Sequence, residues 1–126
     1  MEIKVTTEQI VREAKTFNIE LPFFFHWKCV YEANSESYFD MQDNIWGVVY
    51  LTKDIDNEDV IRTTRFKETV NEYYDHDTSM ARYNIESDTF DEYRQGKNIE
   101  HLIESQCTEE EFNRESTRIF KLITNQ

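Results

Sequence analysis

The chain has 126 residues, the length of one ordinary domain, and it is 38% hydrophobic and 14% aromatic, which is enough apolar side chain for a core. Its formal charge of −12 opposes direct binding to nucleic acid or to an anionic membrane and favours basic proteins as partners. Two cysteines exclude a disulfide scaffold, and no apolar run has the length of a signal peptide or a membrane span. These features predict a cytoplasmic protein with a single domain over residues 1–126.

The N-terminal segment is predicted to form a helix. Thr6 and Gln9 have the spacing of a capping box, and apolar residues then recur at helical spacing, which predicts a helix over residues 7–17. Ile3 and Val5, which precede the cap, fit a short edge strand.

Residues 22–33 alternate in a way that is typical of a β-strand with one apolar face. Residues 34–43 are predicted to be a connecting loop, and residues 45–53 a central strand that is apolar on both sides. Gly47 in its middle indicates a bulge or a close backbone approach. The apolar face of the first strand carries Phe23, Phe25, Trp27, Cys29, Tyr31 and Ala33.

Two further strands are predicted. Asp54–Asp59 is an acidic turn, and Val60–Phe66 is favoured as a strand by its β-branched residues, with a helix over residues 57–74 as the competing prediction. Met80–Glu86 alternates again. In this fourth strand the inward side chains are expected to be Ala81, Tyr83 and Ile85.

The C-terminal part changes to a helical period. Asp88 is predicted to cap a short helix that ends near Gly96, and Ile99, Leu102, Ile103 and Cys107 mark a second helical face. Thr108 and Glu111 match another capping box, which begins the last helix. The predicted fold class is therefore α+β, with an antiparallel sheet of three to four strands, an N-terminal helix and two to three C-terminal helices.

The even-numbered face of the first two strands is also apolar, so it needs a cover. We expect the C-terminal helices to pack on it, and a partner or a homodimer is the alternative. The residues concerned are Phe24, Val30, Trp46, Val48 and Tyr50.

No catalytic motif stands out. The two glycines, Gly47 and Gly96, are too few for a phosphate-binding loop, and an odd spacing places Cys29 and His26 on opposite faces of their strand. The stretch Asp75-His76-Asp77 offers metal donors, but adjacent residues rarely converge on one ion, so a solvated acidic loop is favoured. The cationic patch formed by Arg62, Arg65 and Lys67 is expected to pair with neighbouring acids.

The acidic residues are concentrated in residues 68–115, which hold 14 acidic and four basic residues. Carboxylates on a rigid surface can occupy a groove built for phosphates, and opposite fields accelerate association. In size and charge the chain resembles the compact acidic inhibitors that phages and mobile elements carry, among them anti-CRISPR proteins and other nucleic-acid mimics.

The leading hypothesis is a non-enzymatic inhibitor, without cofactor or metal, that occupies the basic nucleic-acid site of a nuclease or a related enzyme. One alternative is an immunity protein that neutralises a cognate nuclease toxin, and another is a metal-dependent enzyme that uses Asp75-His76-Asp77. The predicted contact residues are Tyr73, Tyr74, Asp75, Asp77, Asp88, Asp91 and Glu92.

Overall fold

Six β-strands form two antiparallel sheets, and two helices follow them. The computed structural model describes residues 1–8, 14–33, 39–73, 78–90 and 99–125. The strands are β1 (Glu2–Glu8), β2 (Ala14–Glu20), β3 (Phe23–Tyr31), β4 (Phe39–Lys53), β5 (Asp59–Tyr73) and β6 (Thr78–Thr89), and the helices are α1 (Ile99–Glu104) and α2 (Glu109–Thr124). The protein is therefore mostly β, and the predicted α+β class with an N-terminal helix is wrong.

The N-terminal strands β1 and β2 pair antiparallel, and we call this pair the hairpin; it replaces the predicted helix over residues 7–8 and 14–17, whereas residues 9–13 lie outside the described part. Ile3 lies opposite Ile19 and Val5 lies opposite Phe17, so the apolar residues of both strands alternate in register. Cross-strand pairs of this kind stabilise the pairing of the two strands, and a capping signal, which involves only neighbouring residues, gives no information about them. Ile19 is buried in the core, which explains why the strand period prevails.

The second sheet is a meander with the order β3-β4-β5-β6. β4 begins at Phe39, so residues 39–43 belong to a strand and not to the predicted loop, whereas residues 34–38 lie outside the described part. The segment with competing predictions is strand β5, which runs on to Tyr73. Central strands are paired on both sides, and this pairing extends them beyond what local propensity indicates.

β6 corrects two predictions. It runs to Thr89 and therefore includes Asp88, which is not a helix cap, and the rest of the predicted short helix, from residue 91 to its end near Gly96, lies outside the described residues. Of its three predicted inward side chains, Tyr83 packs under α2, whereas Ala81 and Ile85 are exposed. An edge strand has neighbours on one side only, so burial of its side chains depends on how far the covering helix reaches.

The odd-numbered face of β3 and β4 carries the larger core. Phe23, Phe25 and Val49 are buried there, as the alternation predicted, and each buried side chain of this size contributes about 1.5–3 kcal/mol. The hairpin and α1 cover this face through Ile19, Ile99 and Leu102, among others. The predicted helical face of α1 is confirmed at Ile99 and Leu102.

The even-numbered face is covered by α2, as expected. Phe112 and Ile119 of the helix pack with Trp46 of β4, and Phe24 and Val48 are half-buried beside them. Val30 lies beyond the reach of the helix and remains 66% exposed.

Gly47 is confirmed as a site of close approach. The ring of Phe25, directly opposite on β3, lies over its backbone, and a Cβ atom at position 47 would come within 2.1 Å of that ring. The register continues through the position, so no bulge is present. A glycine here lets an aromatic ring of the neighbouring strand fill the space.

Candidate protein-binding surface

The junction between α1 and α2 is held against the outer edge of β3. The backbone N–H of His26 donates to Ser105 O at 2.9 Å, and the N–H of Cys107 donates to Phe24 O at 3.0 Å. Residues 105–107 thus act as a short extra strand that pairs with β3. Because backbone hydrogen bonds hold this junction, the side chains on either side of it have a defined position relative to the sheet.

The capping box at Thr108 sets the first turn of α2, as the sequence predicted. The side chain of Thr108 accepts a hydrogen bond from Glu111 N at 3.1 Å, and the Glu111 carboxylate accepts one from Thr108 N at 3.5 Å. This reciprocal cap satisfies two backbone donors that a helix end leaves open. It also orients three consecutive glutamates at the helix N-terminus, where the helix dipole favours negative charge.

Four exposed carboxylates flank this junction, and we call them the helical acidic surface: Glu104, Glu109, Glu110 and Glu111. Residues 99–113 contain no lysine or arginine. Within the described ranges, no cationic side chain forms an ion pair with any of the four. Their charge therefore faces solvent without local compensation.

The field of this surface reaches a neighbouring thiol. Burial, and then the negative charge of Glu111, raise the pKa of Cys107 to about 11. A thiol with such a pKa stays protonated at neutral pH and is a poor nucleophile. Cys107 and Cys29 are both free and half-buried.

Several carboxylates on the second sheet are arranged differently, because cations of the same sheet or of α2 neutralise them. Arg65 contacts Asp88 at 3.0 Å and Glu86 at 3.8 Å, which confirms the predicted pairing of this arginine with acidic neighbours. Lys67 lies 3.7 Å from the buried carboxylate of Asp43. These pairs lower the outward negative potential of β4, β5 and β6.

Glu68 is the most elaborately paired of the strand acids. Arg118 of α2 donates to both of its carboxylate oxygens, at 3.1 and 3.5 Å, and also bonds Glu115 at 2.8 Å. Burial alone would raise the pKa of Glu68, but the hydrogen bonds and charge of Arg118 outweigh burial and hold the pKa below its ordinary value. This network fastens α2 to the sheet.

Two of the seven predicted contact residues lie in the described part, and they are far apart. Tyr73 is half-buried and packs on Phe39 with ring centroids 5.1 Å apart. Asp88 sits opposite Thr63, ten residues before Tyr73 along β5, which corresponds to about 30 Å in an extended strand. The other five lie outside the described residues: Tyr74, Asp75, Asp77, Asp91 and Glu92.

Neither sequence candidate for catalysis gains geometric support. The side chain of His26 stacks on Trp46 with ring centroids 3.7 Å apart, on the face opposite Cys29, as strand geometry predicted. The Asp75-His76-Asp77 stretch lies outside the described part. In the portion of the chain that the structure describes, no three His, Cys, Asp or Glu side chains are grouped to hold a metal ion.

A cavity of about 370 Å³ opens beside β6, lined by Lys67, Thr69, Arg82, Tyr83 and Asn84. Arg82 is exposed, and no acidic side chain of the described ranges forms an ion pair with it. An uncompensated arginine in a strongly acidic chain is available to an external carboxylate.

No protein-family model, curated protein or solved structure matches the chain. No helix of the described residues is long and apolar enough to cross a membrane. Assignment of a function therefore depends on the geometry and charge of the surfaces described above.

The sequence located the acidic half of the chain but did not separate its paired carboxylates from its exposed ones. Three strand acids in that half, Glu68, Glu86 and Asp88, are paired, which only tertiary contacts reveal. A simple signal does mark the helical acidic surface: a run of 15 residues, 99–113, with five glutamates and no lysine or arginine.

Proposed function

We propose that this protein is a non-enzymatic binding protein that presents the helical acidic surface to a basic protein and blocks its nucleic-acid site. The proposal rests on a difference between two groups of carboxylates, those whose charge is neutralised by ion pairs within the fold and those whose charge is not. Strand carboxylates such as Glu68 and Asp88 are paired within the fold, whereas Glu104, Glu109 and Glu110 are exposed and form no ion pair with any described residue. A surface of uncompensated carboxylates on a defined backbone attracts a groove lined with lysine and arginine.

Rigidity supports the same proposal. The pairing of residues 105–107 with β3 and the capping box at Thr108 fix the backbone from which these side chains project. A preorganised surface loses less conformational entropy on binding than a flexible acidic tail does. The expected partner is a nuclease or another nucleic-acid-handling enzyme with a strongly basic groove.

The first experiment measures the salt concentration at which the protein elutes from immobilised poly-lysine. The surface variant combines Glu104→Gln, Glu109→Gln and Glu110→Gln. The control combines Glu2→Gln, Asp56→Asn and Glu58→Gln, three exposed acids at other sites, so both variants lose the same net charge. We expect the surface variant to elute at clearly lower salt than the control.

Equal elution of the two variants would contradict the proposal, because it would mean that net charge alone governs binding. A second experiment uses the same pair of variants with a purified basic nuclease whose activity the wild-type protein inhibits. Loss of inhibition in the surface variant with retention in the control is the expected result. Inhibition that survives in the surface variant would place the contact elsewhere.

A further inference from the structure

The two edges of the second sheet differ in how they are closed. Residues 105–107 pair with the outer edge of β3. In the described part of the chain, no strand pairs with the outer edge of the 12-residue strand β6. A long unpaired edge is a template for another strand, which natural proteins usually block.

The register of β5 and β6 shows which backbone groups of β6 face outward. Phe90 N donates to Ile61 O at 2.7 Å, so residue 90 directs its backbone groups at β5. Along an antiparallel strand, every second residue directs its backbone N–H and C=O groups at the same neighbouring strand, and the ladder is continuous back to Thr78. Even-numbered residues of β6 therefore bond to β5, and odd-numbered residues from 79 to 89 present their N–H and C=O groups to the outside.

We propose that a second copy of this chain occupies this edge, so that two β6 strands pair antiparallel about a two-fold axis at Asn84 and form an eight-stranded sheet. This interface is separate from the proposed function and does not use the helical acidic surface. At the axis, Asn84 of one copy lies opposite Asn84 of the other. The two residues exchange no backbone hydrogen bonds, because the backbone groups of an even-numbered residue already bond to β5. The odd-numbered residues then exchange N–H···O=C bonds along the junction.

Charge complementarity selects this register. With the axis at Asn84, Arg82 of one copy lies opposite Glu86 of the other, and symmetry makes the pair twice. Within its own chain Glu86 lies 3.8 Å from Arg65 and accepts a hydrogen bond from Asn84 at 3.1 Å, so Arg82 is a further cation beside this carboxylate. Arg82 is exposed and unpaired in the described chain, and it lines the cavity beside the edge. Directly opposed unlike charges on neighbouring strands are favourable, and like charges are unfavourable.

Apolar contacts at the junction agree with this register. Tyr83 of one copy lies opposite Ile85 of the other, an aromatic and aliphatic cross-strand pair, and Ile85 is 40% exposed in the single chain. α2 contacts all four strands of the sheet, β6 included.

Sedimentation equilibrium of the full chain tests the proposal. The expected result is a concentration-dependent dimer with twice the 15.3 kDa mass. A monomer at all concentrations up to the millimolar range would overturn the proposal, and the edge would then be open to a strand of a different protein. If the chain dimerises, two sets of variants test whether β6 forms the interface.

Ala81→Pro removes one outward N–H donor and leaves the ladder with β5 intact, because residue 81 is odd-numbered and its side chain is exposed. Ala81→Ser retains the N–H and is the matched control. We expect the proline variant to weaken dimerisation about tenfold or more with an unchanged circular dichroism spectrum, and the serine variant to dimerise like the wild type. A proline variant that dimerises normally would overturn the proposal.

A charge exchange tests the register without proline. Arg82→Glu alone and Glu86→Lys alone each place like charges opposite each other in a homodimer, so each should weaken it about tenfold or more. An equimolar mixture of the two variants restores both unlike pairs and should form a heterodimer with wild-type affinity. Failure of the mixture to associate, or normal homodimers of either variant, would overturn the register and the proposal.

Discussion

Three carboxylates on the second sheet and the carboxylates at the α1–α2 junction have opposite surroundings. On the sheet, Asp43, Glu68 and Asp88 each lie within 4 Å of a lysine or an arginine. At the junction, Glu109 and Glu110 have no such neighbour among the described residues. The comparison shows that the charge of a segment does not indicate its outward potential, because pairing within the fold decides how much of that charge a partner meets.

The largest expected effect comes from breaking a pair on the sheet. Asp43 is 6% exposed, accepts a hydrogen bond from Thr69 at 2.8 Å and faces Lys67. Asp43→Ala should lower the free energy of unfolding by about 2–3 kcal/mol in urea titrations, because it leaves a buried hydroxyl and a half-buried cation without their acceptor. Glu72→Ala, at an exposed acid on β5, should cost about 0.5 kcal/mol or less. Equal losses of stability in the two variants would contradict the difference between paired and exposed carboxylates.

Glu68→Gln tests the pair that fastens α2. Since the pKa of folded Glu68 is lowered, its ionised form stabilises the fold above the unfolded pKa of about 4.3, and this contribution is lost as the pH falls through the folded pKa. Because Arg118 is 42% exposed, we expect a loss of about 1 kcal/mol at pH 7. Urea titrations should show this difference at pH 7 and its progressive loss as the pH falls below the unfolded pKa of about 4.3. A difference that persists in acid would show that the charge is not its origin.

Neutralising the helical acids should change stability little. Glu109→Gln combined with Glu110→Gln removes a favourable interaction with the helix dipole but also removes repulsion between adjacent carboxylates, so the net change should be about 0.5 kcal/mol or less. Thermal unfolding at low and high ionic strength measures both terms. A loss comparable to that of Asp43→Ala would mean that these acids are structural.

The smallest effect concerns Cys107, whose pKa is raised by burial and then by the charge of Glu111. In a Cys29→Ser background, the rate of alkylation of Cys107 by iodoacetamide should keep rising with pH up to about 11. Glu111→Gln should shift that profile to lower pH, because it removes the second cause of the raised pKa while glutamine keeps the capping box. An unshifted profile would assign the raised pKa to burial alone.

Local signals in the sequence determined those elements that depend on neighbouring residues. The capping box at Thr108, the alternation of β3 and the helical face at Ile99 are confirmed, because each is set by contacts within a few residues or by one buried face. The similar capping signal at Thr6 wrongly predicted a helix. Ile3 pairs with Ile19 across the hairpin, and this nonlocal strand pairing stabilises the segment more than one local helix cap would.

Tertiary structure decided the lengths of β4 and β5, the side of the sheet on which each helix packs, and the pairing of charges. A strand lengthens when both neighbours supply hydrogen bonds, and an acid is neutralised when the register brings a cation opposite it, as Arg65 is brought to Glu86. Composition alone determined that the chain is acidic and rich enough in aromatic residues to form a core. Position in the fold determined which carboxylates remain exposed, because ion pairs form between residues that are distant in the chain.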